Sequence, residues 1–182
     1  EVREAEIERL VEAGSQSLSL KLIIDGKVAT ASSSDFAMDS VSRLIDNAIK
    51  RARLTSKDPY SGIPEKQRTD YDLESLKLFD HKLVEMPPEK KIALAKEVEK
   101  IALENKQITK SSGSSFGSNI GTHYIVNSNG IANSFPSTSV SLGVSLQSGA
   151  GDNMTEDYYY NSSRSLAGLK TPEEIAKKAA GK

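Results

Sequence analysis

The chain has 182 residues, a length for one domain or two small ones, and enough to bury about 70% of its unfolded surface without covalent staples. With 24 Lys+Arg against 25 Asp+Glu the net charge is −1, so the molecule as a whole exerts no pull toward nucleic acid or an anionic membrane. There is no Cys, which excludes disulfides, thiolate metal sites and thiol nucleophiles. There are two His, His81 and His123, so a zinc centre confined to this chain would draw most of its ligands from carboxylates.

The first residue is Glu1, and no basic, apolar, signal-like segment follows it. No run approaches the ~18 apolar residues of a membrane span. The expectation is a soluble, cytoplasmic piece of a longer protein. Glu1 to Ala13 reads two ways: Ala5, Ile7, Val11 and Ala13 share strand parity, whereas the Glu, Arg, Leu and Ala content favours a helix. Leu18, Leu20, Leu22 and Ile24 then alternate cleanly. Asp25-Gly26 offers a type I′ turn, and Lys27 to Ser32 is the returning strand.

Ser34, Asp35 or Asp39 can cap a helix whose inward face is Met38, Val41, Leu44, Ile45, Ala48, Ile49 and Ala52. From Thr55 to about Pro88 the chain is punctured by Asp58-Pro59, Gly62, Pro64 and Pro87-Pro88, and reads as an irregular connection. Pro88 suits the first turn of a second helix through Glu104, with Ile92, Ala95, Val98 and Ala102 inward. The pattern then becomes β, with strands expected at Gln107–Ser115, His123–Asn127, Ile131–Phe135, Thr138–Gln147 and Glu156–Asn161. Their connections are too short for crossover helices, so pairing is antiparallel. Thr171-Pro172-Glu173-Glu174 announces a last short helix with a capping box.

Between Ser111 and Gly151 there is no charged residue. The stretch is rich in Ser, Gly and Asn, yet it is no linker: Val140, Leu142, Val144 and Leu146 fall on one strand face, with Ser139, Ser141, Gly143 and Ser145 on the other. Small side chains on that second face allow another backbone to approach closely. Ser139, Ser141, Gly143 and Ser145 are therefore the candidate contact residues, for a peptide or for a subunit. Tyr158-Tyr159-Tyr160 alternates faces in an extended chain, which puts at least one ring in the core and leaves another as a possible anchor.

Catalytic signatures are missing: there is no HExxH, GxSxG, Walker A or dinucleotide fingerprint. Asp152, Glu156 and Asp157 lack the loop spacing of a calcium site and read as a solvated hairpin turn. The basic residues Arg43, Lys50, Arg51 and Arg53, and Lys90, Lys91, Lys96 and Lys100, have acidic neighbours. They read as solvated helix faces rather than a nucleic-acid surface. The residues assign no catalytic, cofactor-binding or metal role.

Several stretches, in this order and spacing, carry a resemblance: ASSSD at 31–35, ARLTSKDPYSGIP at 52–64, LKLFD at 76–80, ITKSSGSSFGS at 108–118, NSNG at 127–130 and LKTPEEI at 169–175. Over essentially its whole length the chain resembles the N-terminal half of the TldD/PmbA family, also called the modulator of DNA gyrase family, and most resembles its PmbA/TldE branch. The resemblance implies an α+β fold, with mixed or antiparallel sheets packed against amphipathic helices. It implies a two-subunit zinc metallopeptidase that processes leader peptides and degrades small or unfolded proteins. Zinc is then expected on a TldD-like subunit bearing HExxxH in its C-terminal half, a motif this chain lacks. The implied partners are that related subunit or a second copy, with a peptide or unfolded protein as substrate. The alternatives are a catalytic TldD-like parent and a regulatory module linked to DNA gyrase or toxin–antitoxin function. Family members also place a strand within residues 1–13, often with Gly where this chain has Ala5. The organisation expected is a first α+β unit at 1–64, an irregular connection at 65–87, a second unit at 88–170, and a helix at 171–182 leading into a further domain.

Overall fold

A computed structural model describes residues 1–66, 72 and 74–181. The parts of the irregular connection at 67–71 and 73, and the last residue of the expected terminal helix, lie outside the described residues. The fold is α+β with antiparallel strands. It divides into two units: Glu1–Val11, Arg68–Ile125 and Ala132–Lys182 form one, and Glu12–Gln67 with Val126–Ile131 form the other.

The larger unit opens with two very short strands, β1 (Val2–Arg3) and β2 (Glu6–Ile7), paired antiparallel with Val2 opposite Ile7 and Arg3 opposite Glu6. The two-residue turn between them puts Glu4 at φ 53° and Ala5 at φ 63°. Left-handed backbone at both central positions is what a type I′ hairpin requires, and neither residue favours it. The segment is thus neither the helix that composition favoured nor one continuous strand. A buried carboxylate compensates. Glu99 lies on α3 (Pro88–Leu103); its Oε1 accepts the Glu4 N–H at 3.1 Å and its Oε2 the Ala5 N–H at 2.9 Å. Ala5→Gly removes the Cβ that opposes φ 63° while keeping the N–H, so it is expected to raise stability by about 1 kcal/mol in a urea unfolding curve. An unchanged or lowered midpoint would show that the turn is not strained.

The unit's sheet has the order β2-β1-β5-β6-β7, with β5 Ile108–Val126, β6 Ala132–Ser148 and β7 Thr155–Ser163. The two strand pieces expected on either side of Gly117 and Gly121 are one 19-residue strand. Those expected on either side of Pro136 are one 17-residue strand. Pro136 is tolerated because β7 pairs with β6 only from Val140 onward, leaving the earlier part at an edge where a missing N–H is harmless.

Val140, Leu142, Val144 and Leu146 are all buried. Leu142, Val144 and Leu146 join one core with Val98 and Ala102 of α3 and with Ile175, Ala176 and Ala179 of α4 (Pro172–Ala180). The capping box at the start of α4 is complete: Thr171 Oγ1 accepts the Glu174 N–H at 3.3 Å, and Glu174 Oε2 accepts the Thr171 N–H at 3.0 Å.

The supposedly irregular connection contains a short helix, α2 (His81–Val84), whose N-cap Asp80 is a hub. Asp80 Oδ1 accepts from the Lys82 N–H at 2.9 Å and Oδ2 from the Leu166 N–H at 2.8 Å. The Asp80 N–H donates to Thr138 Oγ1 at 3.0 Å. The LKLFD stretch thereby fastens itself to the end of the sheet.

The smaller unit is the hairpin of β3 (Leu18–Ile24) and β4 (Lys27–Ser33), covered by helix α1 (Met38–Leu54). Asp25 at φ 51° and Gly26 at φ 77° make the expected turn. Of the three candidate caps, Asp35 organises the start of α1 from two residues before its N-cap Ala37. Its Oδ1 accepts from Ala37 N–H at 2.9 Å and its Oδ2 from Ser40 Oγ at 2.5 Å. Those two bonds, with Arg43 nearby, hold its carboxyl below the usual range. The apolar stripe of α1 is wider than the ribbon beneath it. Ala48 and Ala52 are buried, but Met38, 77% exposed, and Ile45, 40% exposed, do not point into a core as expected. A two-stranded ribbon is too narrow to cover both.

In the same unit the NSNG turn grips the end of the SGIP stretch. Asn127 Nδ2 donates to the Pro64 carbonyl at 3.0 Å, and Asn129 Nδ2 to the Ile63 and Pro64 carbonyls at 3.2 Å each.

Candidate functional site

The buried alternation of β6 orients everything on its reverse. Helices α3 and α4 take the face carrying Leu142, Val144 and Leu146, so Ser141, Gly143 and Ser145 lie on the opposite face. On β5, Ser114 Oγ donates to the Ala95 carbonyl of α3 at 2.7 Å, and Phe116 packs on the core, so Ser115 and Gly117 also face away from the helices. Ser111 and Ser114 are both buried although three residues apart, because the alternation slips at Gly113. Gly113 has φ 121°, and a Cβ there would lie 3.2 Å from the Val2 carbonyl oxygen, so this position takes glycine.

On β7, Tyr159 packs toward the core with Lys178 Nζ 5.3 Å from its ring centroid, and Tyr158 and Tyr160 stand on the open face. Their rings stack at 6.2 Å with 16° between planes. Together these residues shape a shallow concavity of about 260 Å³, lined by Gly113, Ser115, Ser141, Gly143, Ser145 and the tyrosine row.

Of the four candidate contact residues, Ser141, Gly143 and Ser145 line this concavity, and Ser139 does not. At Gly143 the closely approaching backbone is that of β7. A Cβ there would lie 2.7 Å from the Tyr160 Cβ and 3.1 Å from the Tyr159 carbonyl oxygen. On β5 Gly117 performs the same service for Ser141: a Cβ on Gly117 would meet the Ser141 Oγ at 2.8 Å. The small residues first let three strands lie close together, and the flat floor that results is open.

The sequence offers Glu156 both as the first residue of a strand and as part of a solvated hairpin turn with Asp152 and Asp157. The turn itself is Gly151–Asn153, and Glu156 is already in β7, where it shares the open face with Tyr158 and Tyr160. Ser145 Oγ donates to Glu156 Oε1 at 3.0 Å. Hydrogen bonds from Ser112, then Ser145 and Gln147, hold the Glu156 carboxyl below the usual carboxylate range. The signal for it was present: Glu156 has the parity of the two exposed tyrosines.

The two histidines are engaged elsewhere. His81 meets Phe79 edge-on at 4.9 Å. His123 stacks on Phe135 at 5.1 Å and shares a hydrogen bond with Ser137 Oγ at 3.0 Å. Among the described residues no three His, Cys, Asp or Glu side chains come together in a way that could hold a metal ion. The donors present here do not fit a zinc site, and no chemical step is assigned to one in this chain. No helix of the described residues is long and apolar enough to cross a membrane.

The architecture is thus a ribbon-and-helix unit and a five-stranded sheet with helices on one face. Residues 1–52 match the family description "PmbA/TldA metallopeptidase domain 1" and residues 81–182 match "PmbA/TldA metallopeptidase central domain". The chain belongs to the PmbA/TldD metallopeptidase family. It is 31% identical over 174 residues to the metalloprotease PmbA of Escherichia coli, covering 95% of this chain and 38% of that protein. A PmbA homolog of Haemophilus influenzae is 28% identical over 178 residues, covering 97% of this chain and 39% of the relative. The chain therefore spans less than two-fifths of the curated relatives it matches. Among solved structures, a Bacteroides thetaiotaomicron protein described as a modulator of DNA gyrase superposes with a TM-score of 0.81 at 30% identity, over 95% of this chain and 40% of its own. TldE from Thermococcus kodakarensis shares the fold, with a TM-score of 0.76 at 20% identity over 100% of this chain and 40% of its own.

Proposed function

We propose that this chain is the N-terminal part of a noncatalytic PmbA/TldE-like subunit of a cytoplasmic zinc metallopeptidase, and that it frames and holds extended peptide. In this reading a related TldD-like subunit carries the zinc, and the assembly processes leader peptides and degrades small or unfolded proteins. The division into 1–64, 65–87 and 88–170, with 171–182 leading into a further domain, is part of the same proposal. The observation that carries it is the open floor of Ser141, Gly143 and Ser145 beside Tyr158 and Tyr160, on the sheet face opposite α3 and α4. An uncharged surface of small side chains accepts an extended backbone at close range, and exposed aromatic rings supply contact area at low entropic cost.

Two further readings draw on the relatives' names. A catalytic parent is favoured by the word metalloprotease in the curated names. A gyrase-linked interaction module is favoured by the description of the Bacteroides structure, and toxin–antitoxin regulation is the variant of that reading that the description does not mention.

The test is zinc analysis and a peptidase assay of the full-length parent, alone and with its related partner. Activity and stoichiometric zinc only in the pair, with zinc on the partner, is the expected result. Zinc and turnover in the parent alone would establish a catalytic subunit. Association without turnover would favour the interaction module. A leader-peptide titration that leaves the backbone amides of 138–146 unmoved would remove the peptide-holding role.

A further inference from the structure

On the open face, β5 from Ser111 onward and the whole of β6 contribute no charge, because Ser111–Gly151 contains no Asp, Glu, Lys or Arg. Charge enters from β7, where Glu156 stands in line with Tyr158 and Tyr160. The Glu156 carboxylate is fixed in place by the Ser145 hydroxyl at 3.0 Å. Tyr158 and Tyr160 are 59% and 60% exposed, with their rings stacked. Same-face residues on a strand are about 7 Å apart, so carboxylate and rings form a short row beside the Gly/Ser floor. The extended stem of a Lys or Arg side chain spans one step of that row, from Tyr158 to Glu156. Its apolar part suits the rings, its charge suits both ring faces and carboxylate, and tyrosine faces attract cations. The molecule uses that pairing on its other face, where Lys178 sits over Tyr159.

Building on the reading that this face takes extended peptide, we propose that the peptide it selects carries a basic side chain, laid along Tyr158 with its charge on Glu156, while Tyr160 backs the Tyr158 ring. The neighbouring peptide backbone rests on Ser141 and Ser115. An acidic segment or a phosphate backbone meets a like charge at Glu156 and is disfavoured.

The test is a titration of the isotopically labelled chain with three acetylated and amidated peptides, followed by backbone amide shifts. One is Ser-Gly-Ser-Arg-Ser-Gly-Ser, and the others carry norleucine or Glu in place of Arg. Shifts should centre on 141–145 and 156–160, with the Arg peptide bound about five- to tenfold more tightly than the norleucine peptide. Glu156→Gln should abolish that difference, and so should ~0.5 M salt acting on the unaltered chain, which needs no substitution. Equal binding of all three peptides at these residues overturns the basic preference and leaves the peptide-holding reading standing. No shift with any peptide up to about 5 mM overturns both. Concentration-dependent shifts at the same residues without peptide assign the face to a second copy, and tighter binding of an oligothymidylate assigns it to nucleic acid. Either outcome overturns the proposal.

Discussion

Replacing Glu99 by alanine is expected to cost about 2–4 kcal/mol and to free the first strands from the sheet. The carboxylate is buried, and both its oxygens are occupied by N–H groups of the β1–β2 turn. Hydrogen bonds to a charged acceptor contribute about 1.5–3 kcal/mol each, and the desolvation of the carboxylate offsets part of the sum. What remains must hold two residues in left-handed backbone, which disfavours L-residues by about 1–2 kcal/mol each. Val2 is the only buried hydrophobic residue of that hairpin, so little else anchors it. Urea unfolding should show the lowered stability, and hydrogen exchange at residues 2–7 should accelerate more than exchange in β6. Glu99→Gln keeps an acceptor for one N–H and turns a donor toward the other, so its loss should be intermediate or greater, with the same exchange pattern. A change below about 0.5 kcal/mol with protection intact would show that the turn holds itself.

The same pair of turns shows what a sequence discloses and what it conceals. Both hairpins have two left-handed central residues. Asp25-Gly26 announces one, since Gly takes positive φ freely and Asp tolerates it. Glu4-Ala5 announces nothing, because its geometry is imposed by a carboxylate 94 residues away, and local propensity carries no trace of that partner. The alternation from Ser139 to Leu146 was legible for the opposite reason. A strand buried on one face repeats every two residues, and the uncharged reverse had to be small to let β5 and β7 lie close.

Gly117, Gly121 and Pro136 broke long strands into expected short ones. Glycine weakens a strand and proline removes a donor, but neither forbids a strand whose neighbour lies on one side only. Glu156 opens the strand expected at Glu156–Asn161, so its parity with Tyr158 and Tyr160 is legible, although its charge also groups it with Asp152 and Asp157. At the candidate site the composition of the floor was readable in advance. The depth of the concavity and the bond from Ser145 depend on the pairing of Ser145 with Tyr158, which puts Glu156 one step along the same face.

Cutting Ile175 back to alanine is expected to have the largest effect on the sheet itself, about 2–5 kcal/mol. Ile175 is fully buried on α4 and shares a core with Val98 and Ala102 of α3 and Leu142, Val144 and Leu146 of β6. Alanine removes three carbons from a close-packed site, and the neighbours cannot all move in, since Ala102, Ala176 and Ala179 of the same core are themselves alanines on helices. The helix has nine residues, too few to persist without its seat, and its capping box fixes where it starts rather than holding it down. The first consequence should therefore be local: exchange across 172–180 accelerates, and Leu142, Val144 and Leu146 gain access to solvent and to a hydrophobic dye. Ile175→Val should cost about 0.5–1.5 kcal/mol and leave α4 docked. A small loss on Ile175→Ala, with helix protection unchanged, would place the anchor of α4 elsewhere. If the loss is large, the folded fraction should still bind peptide on the opposite face with unaltered preference, because Ser141, Ser145, Glu156 and the exposed tyrosines lie on the sheet face away from Ile175. The role of α4 is to commit β6 to one buried face, and that commitment leaves the small, uncharged face available for contact.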